Sequence, residues 1–496
     1  MRFVGRHAEL DILNRFYRAK QAALLVIYGR RRVGKTQLLD HWIKQHRIEP
    51  ALYWTAAMQN ASLQLRDFSQ ALLRFDPQYG ELPSLDFGFA TWDLAFEHVA
   101  KLAERTRTPL VVIIDEFTYL MRSDPAVASL LQRIWDHRLS RVPNLRLVIT
   151  GSLMGIMENQ VLSVQAPLYG RATMQYRLRP LPFGQLGELF RRWPAEERVA
   201  GFAVCGGIPG YLNLFEEASD FAGGLARALD AGSIMLTDPA LLISDQLRDP
   251  AMYESILAAI GGGAHAWGEI ARMSAIAETN LGFYLHQLSD LELIERRDPV
   301  LSSPTSHRGR YYIRDPFLRF YYRFILPNST LIQRREIEFV AEKVGRELRA
   351  FIGLYVFEEL AREWVWSEAV TGGLGFVPDE VGGYWSRQRG QPVQLDVVAV
   401  SPSKKRLFIG EAKWGTGQIG REVLTDLVAR SQRMPQVTET GWQVQYGLFS
   451  RHGFTPATIA AAKELKARLV SLLQMEQVLT AAANRQSPSR IGKIEF

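Results

Sequence analysis

The chain has 496 residues, 47% hydrophobic and 22% charged, which is the composition of several folded domains and excludes a mostly disordered chain. A net charge of +7 permits contact with nucleic acid, but the basic residues form no concentrated stripe. The single cysteine, Cys205, excludes an internal disulfide and a cysteine-rich zinc module; with no long apolar run and no secretory signal after Met1, a cytoplasmic protein without a membrane partner is expected.

Through the first half, buried-strand runs alternate with helical spacing, which predicts a parallel α/β sheet. Residues 24–28 read as a strand, and a helix follows from Thr36 with Leu38, Leu39, Trp42 and Ile43 on its apolar side. Between them, Gly29-Arg30-Arg31-Arg32-Val33-Gly34-Lys35-Thr36 fits the phosphate-loop pattern G-x-x-x-x-G-K-[ST], and Gln37 completes the expected nucleotide-facing set. The glycines let successive N–H groups turn toward phosphate oxygens at a helix N-terminus. Lys35 is expected to reach the β- and γ-phosphates of ATP, and Thr36 to offer its hydroxyl to Mg²⁺. A second strand, 110–114, ends in Asp115-Glu116. Carboxylates there emerge at the ligand-binding rim of an α/β sheet, with Asp115 expected in the Mg²⁺ shell and Glu116 expected to activate the attacking water. A third strand, 145–150, ends at Thr150, which reads either as a γ-phosphate sensor or as the cap of a following helix.

Helical patterns dominate from about residue 236. Short helices over 256–260, 267–271 and 279–291, then strands over 293–297 and 310–314, read as a helix-turn-helix with a β-wing. The helix over 279–291 carries no Lys or Arg, so it is a poor reader of duplex DNA. Arg296, Arg297, Arg308 and Arg310 on the wing are the remaining phosphate contacts, and a structural joint is the other reading. The aromatic run Phe317, Phe320, Tyr321, Tyr322 and Phe324 reads as packed core.

After about residue 336 a long amphipathic helix leads into strands over 393–400, 406–410 and 444–449. The first two form a hairpin that brings Asp396, Glu411 and Lys413 together, and Glu411 and Lys413 at spacing two share one face. Two carboxylates can hold Mg²⁺ or Mn²⁺ through hard oxygens, and a lysine can stabilise charge at a phosphoryl group.

These motifs support a resemblance. Phe3-Val-Gly-Arg-His-Ala-Glu9-Leu resembles the Gly-Arg-x-x-Glu-Leu opening of AAA+ and STAND-type P-loop ATPases. Leu168-Tyr-Gly-Arg171, Leu181-Pro-Phe183 and Cys205-Gly-Gly-Ile-Pro209-Gly-Tyr-Leu are similar to later motifs of the archaeal ATPase family. Arg171 would then be an arginine finger or sensor; its plain reading is a surface arginine in a turn. The Asp396…Glu411-x-Lys413 pattern resembles the core of PD-(D/E)XK nucleases, although Gln394 and Leu395 stand where a proline is expected; the resemblance implies that Glu358, on a helix over 351–364, is the acidic residue which that helix usually supplies.

The resemblance implies an α/β protein in three parts. A P-loop NTPase parallel sheet with a helical lid occupies 1–235, a winged helix-turn-helix 236–335, and an α/β restriction-endonuclease-like domain 336–496. It implies an ATP-binding, Mg²⁺-dependent ATPase coupled to a nuclease-like domain that acts on nucleic acid, DNA before RNA, in defence, repair or mobile-element biology. The rivals are a STAND-like ATP-driven switch that binds a protein partner or a second copy, and a DNA-binding regulator with a vestigial C-terminal domain.

Overall fold

The computed structural model describes residues 2–79, 87–303, 308–386 and 392–485. They fall into two compact units, Arg6–Pro180 and Met1–Gly5 with Leu181–Gln486.

The first unit is built on five parallel strands: β1 (Ala23–Tyr28), β2 (Ala51–Thr55), β3 (Leu110–Asp115), β4 (Leu145–Gly151) and β5 (Met174–Arg177). Their order across the sheet is β2-β3-β4-β1-β5. The residues of β3 and β4 are buried throughout, as expected for central strands covered on both faces by helices. Helices Ala61–Phe75 and Trp92–Arg105 start at side-chain caps, Asn60 accepting from the Leu63 N–H and Thr91 from the Leu94 N–H. The outer strands β2 and β5 escape the sequence pattern because they are short and only partly buried, so neither carries a continuous apolar run.

Arg146 interrupts the apolar run of β4, yet it is buried. Its guanidinium donates to the carbonyls of Tyr17 (3.0 Å), Gln21 (3.0 Å), Pro143 (2.7 Å), Leu145 (2.9 Å) and Ala19. Tyr17 ends the helix His7–Tyr17, so the cation satisfies one carbonyl that the helix end leaves open together with carbonyls of the loops beside it.

In the second unit, helices Pro250–Gly261, Trp267–Ser274 and Glu278–Asp290 precede an antiparallel ribbon of β6 (Ile294–Arg297) and β7 (Arg310–Ile313). Helices Ile337–Phe351 and Glu358–Val370 then lead to a mixed sheet. Its strands are β8 (Glu380–Ser386), β9 (Val393–Ser401), β10 (Arg406–Lys413), β11 (Gln443–Ser450) and β12 (Arg468–Ser471), in the order β12-β11-β10-β9-β8. β9 pairs antiparallel with β8 and β10, while β10, β11 and β12 run parallel. The sequence pattern misses β8, whose Gly382 and Gly383 interrupt any alternation.

The boundaries expected near 235 and 335 lie inside this unit, because one core cluster extends from Val4 and Leu181 to Leu479. The aromatic run is its centre: Phe317 packs on Tyr211 at 4.1 Å between ring centroids, and Phe320 on Phe351 at 6.2 Å. Cys205 is buried, and burial pushes its thiol pKa well up, so it is chemically inert packing. Gly207 must be glycine: its φ is +71°, and a Cβ there would lie 2.0 Å from the Leu181 carbonyl oxygen.

Arg146→Met is expected to leave buried carbonyls unsatisfied and destabilise the first unit by about 3 kcal/mol. In a unit of this size that lowers the melting temperature by roughly 6–12 °C. Wild-type melting of this unit would contradict the assignment.

Candidate functional site

The phosphate-loop pattern lies where β1 gives way to the helix Lys35–His46. The chain takes left-handed conformations at Arg32 (φ 64°) and Gly34 (φ 97°), which curl the loop. Gly29 is fixed by space, since a Cβ would lie 2.4 Å from the Leu178 carbonyl oxygen. Lys35 is 5% exposed, and its Nζ donates back into the loop to the carbonyls of Gly29 (2.8 Å) and Arg30 (3.3 Å). Burial draws its pKa below the usual lysine value, opposed by the Glu116 and Asp115 carboxylates. Arg6 ties the loop down by donating to the Val33 carbonyl (3.0 Å) and to Glu9 (2.9 Å). Arg31 donates to the Tyr119 hydroxyl.

Asp115 ends β3 and is 2% exposed. Its Oδ2 accepts hydrogen bonds from the Thr36 hydroxyl (2.8 Å) and the Tyr53 hydroxyl (2.6 Å). Its Oδ1 accepts from the Glu116 N–H (3.1 Å) and the Thr150 hydroxyl. Thr150 caps no helix; it is the buried last-but-one residue of β4, and its side chain is committed to Asp115. Glu116 adopts φ 55°, and its Oε2 accepts from the Ser152 hydroxyl (2.6 Å) and N–H (3.2 Å). Neither Tyr53 nor Ser152 belongs to a spacing pattern in the sequence.

These groups fit ATP and Mg²⁺. The loop approaches too closely at Gly29 for any side chain, its lysine folds inward, and the Thr36 hydroxyl and Asp115 carboxylate present hard oxygens side by side. Arg171 lies apart from this cluster, paired with Asp136 on the helix Val127–His137 at 3.1 Å.

The C-terminal candidates also converge. Gly410 pairs with Val397 in the β9–β10 hairpin, which places Glu411 level with Asp396. Asp396 is 9% exposed and Glu411 3%. Asp396 Oδ2 accepts from the Ala412 N–H (3.2 Å), Lys413 Nζ donates to Glu411 Oε1 (2.6 Å), and Arg362 donates to Glu358 (2.9 Å). Arg430 Nη2 pairs with Glu411 Oε2 at 2.9 Å. Burial, then the Asp396 charge, raises the pKa of Glu358; burial, then Glu411, raises that of Asp396. Among the described residues, no group of three or more His, Cys, Asp or Glu side chains is arranged to hold a metal ion. Glu358 and Asp396 line a cavity of about 690 Å³ whose other wall is the β6–β7 ribbon.

The ribbon's arginines are occupied within the chain. Arg297 pairs with Glu359 at 2.5 Å, Arg296 with Asp298 at 2.9 Å, and Arg310 stacks over Trp385 at 4.7 Å from the ring centre. The Arg308 carbonyl accepts from the Trp385 ring N–H at 3.0 Å. A phosphate contact from Arg296, Arg297 or Arg310 would have to break these pairings, whereas the Arg308 bond engages only its main-chain carbonyl. Meanwhile the helix Glu278–Asp290 exposes Phe283 and carries no Lys or Arg.

Residues 3–224 match an ATPase domain found predominantly in Archaea, and residues 321–425 match a domain of archaeal and bacterial proteins of unknown function. A Methanocaldococcus jannaschii protein named "Uncharacterized protein MJECL04" is 32% identical over 413 residues, covering 83% of this chain and 87% of its own. The chain belongs to this archaeal ATPase family. A second protein of that organism, "Uncharacterized ATP-binding protein MJ0423", is 43% identical over 49 residues, 10% of this chain and 83% of its own. The Walker-type ATPase PABY2304 of Pyrococcus abyssi shares the fold, with a TM-score of 0.50 at 21% identity over 65% of this chain and 96% of its own. An archaeal ATPase domain thus accompanies the phosphate-loop geometry, and no helix among the described residues is long and apolar enough to cross a membrane.

Lys35→Ala is expected to weaken ATP binding roughly 10- to 100-fold, the value of charged hydrogen bonds lost at a phosphate. Calorimetric affinity equal to wild type would contradict this. Glu116→Gln is expected to bind ATP normally and to hydrolyse it about 100-fold more slowly or worse, as measured by phosphate release.

Proposed function

We propose that the chain hydrolyses ATP with Mg²⁺ at the loop 29–37 and uses that cycle to control a nuclease-like C-terminal domain. The Thr36–Asp115 hydrogen bond carries the first half of this reading, because it joins the phosphate loop to the strand-end carboxylate. In this reading Thr36 and Asp115 hold Mg²⁺, whose charge stabilises the phosphate oxygens. Lys35 neutralises the β- and γ-phosphates, the loop N–H groups orient them, and Glu116 takes a proton from the attacking water. Ser152 holds the Glu116 carboxylate in place while the site waits.

For the C-terminal domain, Asp396 and Glu411, level with each other on the β9–β10 hairpin with Lys413 beside Glu411, support a two-carboxylate divalent-cation site acting on the phosphodiesters of nucleic acid, DNA foremost, with Glu358 as a further catalytic carboxylate. Carboxylates crowded at low exposure repel one another, and a cation relieves that repulsion. The winged helix-turn-helix then serves as a joint. A second reading, the ATP-driven switch that binds a protein partner or another copy, is favoured by the pairing of Glu411 with Lys413 and by the committed ribbon arginines. Arg171, set against Asp136, remains available as a finger only if that pair opens.

The two readings separate in the Lys35→Ala protein, where the ATP site is disabled. The nuclease reading expects millimolar Mn²⁺ to raise the melting temperature, since a ligand bound only by the native state stabilises it. Asp396→Ala should erase that shift, and Lys413→Ala should keep it while abolishing cleavage of plasmid and single-stranded DNA. No Mn²⁺ shift in the parent protein would leave the switch.

A further inference from the structure

We propose that Tyr53 is a positioning residue for the ATPase site, holding the Asp115 carboxylate in the orientation that receives the metal ion. The inference rests on the reading of Asp115 as part of the Mg²⁺ shell. Tyr53 lies on β2, outside every motif of the phosphate-loop pattern. β2 runs parallel to β3 with Tyr53 level with Ile113 and Thr55 level with Asp115. Paired residues in a sheet share a face and side chains alternate along each strand, so Tyr53 and Asp115 lie on one face, two residues apart along the strand direction. The phenol spans that offset, and its hydroxyl donates to Asp115 Oδ2 at 2.6 Å.

The same oxygen accepts from Thr36 at 2.8 Å, but the two donors differ in what they are free to do. The Thr36 hydroxyl belongs to the phosphate loop and is itself offered to the cation. Tyr53 belongs to the sheet, so its hydrogen bond persists whatever the loop holds. A phenol hydroxyl can donate to the carboxylate, which as an anion only accepts. With Thr150 and the Glu116 N–H fixing Oδ1, Tyr53 is the sheet's hold on Oδ2. Partners behind a metal ligand set its orientation, and losing one costs metal affinity about 10–100-fold.

The test is calorimetric titration of the full chain with ATP, once with EDTA and once with saturating Mg²⁺. The ratio of the two affinities is the gain due to the cation. Tyr53→Phe removes only the hydroxyl. It is expected to leave affinity in EDTA unchanged and to cut the Mg²⁺ gain about tenfold. Asp115→Asn is expected to lose most of the gain. If Asp115→Asn loses the gain while Tyr53→Phe keeps it, the positioning role is overturned and the metal reading stands. If Asp115→Asn keeps the gain, the metal reading itself fails. A fall of equal size in both conditions for Tyr53→Phe would mark a structural contact and overturn the proposal; thermal melting of the variant checks that it folds.

Discussion

The Asp115 carboxylate is buried at the end of a central strand and receives four hydrogen bonds from four directions. A buried carboxylate is costly unless its oxygens are satisfied, and here the satisfaction comes from the parts that must act together. Thr36 brings the phosphate loop, Thr150 brings β4, Tyr53 brings β2, and the Glu116 N–H brings the residue next to Asp115 itself. The order β2-β3-β4-β1 makes this feasible, because it lines up three strand ends beside the loop after β1. Moving any one of these elements would take one of the two donors from an Asp115 oxygen. The rim of the sheet is therefore a single hydrogen-bonded assembly.

Much of that assembly is legible in the sequence, because its residues sit at fixed spacings. Gly29, Gly34, Lys35 and Thr36 follow from backbone geometry and phosphate chemistry, and Asp115 follows from its place after a continuous apolar run. Tyr53 and Ser152 are not legible, because each reaches its partner across the sheet and no local spacing encodes a neighbour on another strand. The same holds in the C-terminal domain. Asp396, Glu411 and Lys413 are read from a hairpin, whereas Arg362 reaches the Asp396 carbonyl and Arg430 reaches Glu411 from outside that hairpin. Arg146 shows the converse. A charged residue within an apolar strand looks like a defect until the carbonyls it satisfies are seen.

The second unit shows how composition can suggest an interface that the fold has already used. The arginines on the β6–β7 ribbon look like phosphate contacts because they cluster at the tip of a wing. In the folded chain they are spent on Glu359, Asp298 and the Trp385 ring, and the ribbon forms one wall of the cavity that Glu358 and Asp396 line.

The central claim is that Thr36 and Asp115 work as one unit in holding nucleotide and cation, and a double-mutant cycle measures this directly. ATP affinity in saturating Mg²⁺ would be determined for wild type, Thr36→Val, Asp115→Asn and the double variant. The account predicts a coupling energy of about 1–3 kcal/mol, the double variant being little worse than the poorer single one. Additive losses, with coupling below about 0.5 kcal/mol, would contradict it.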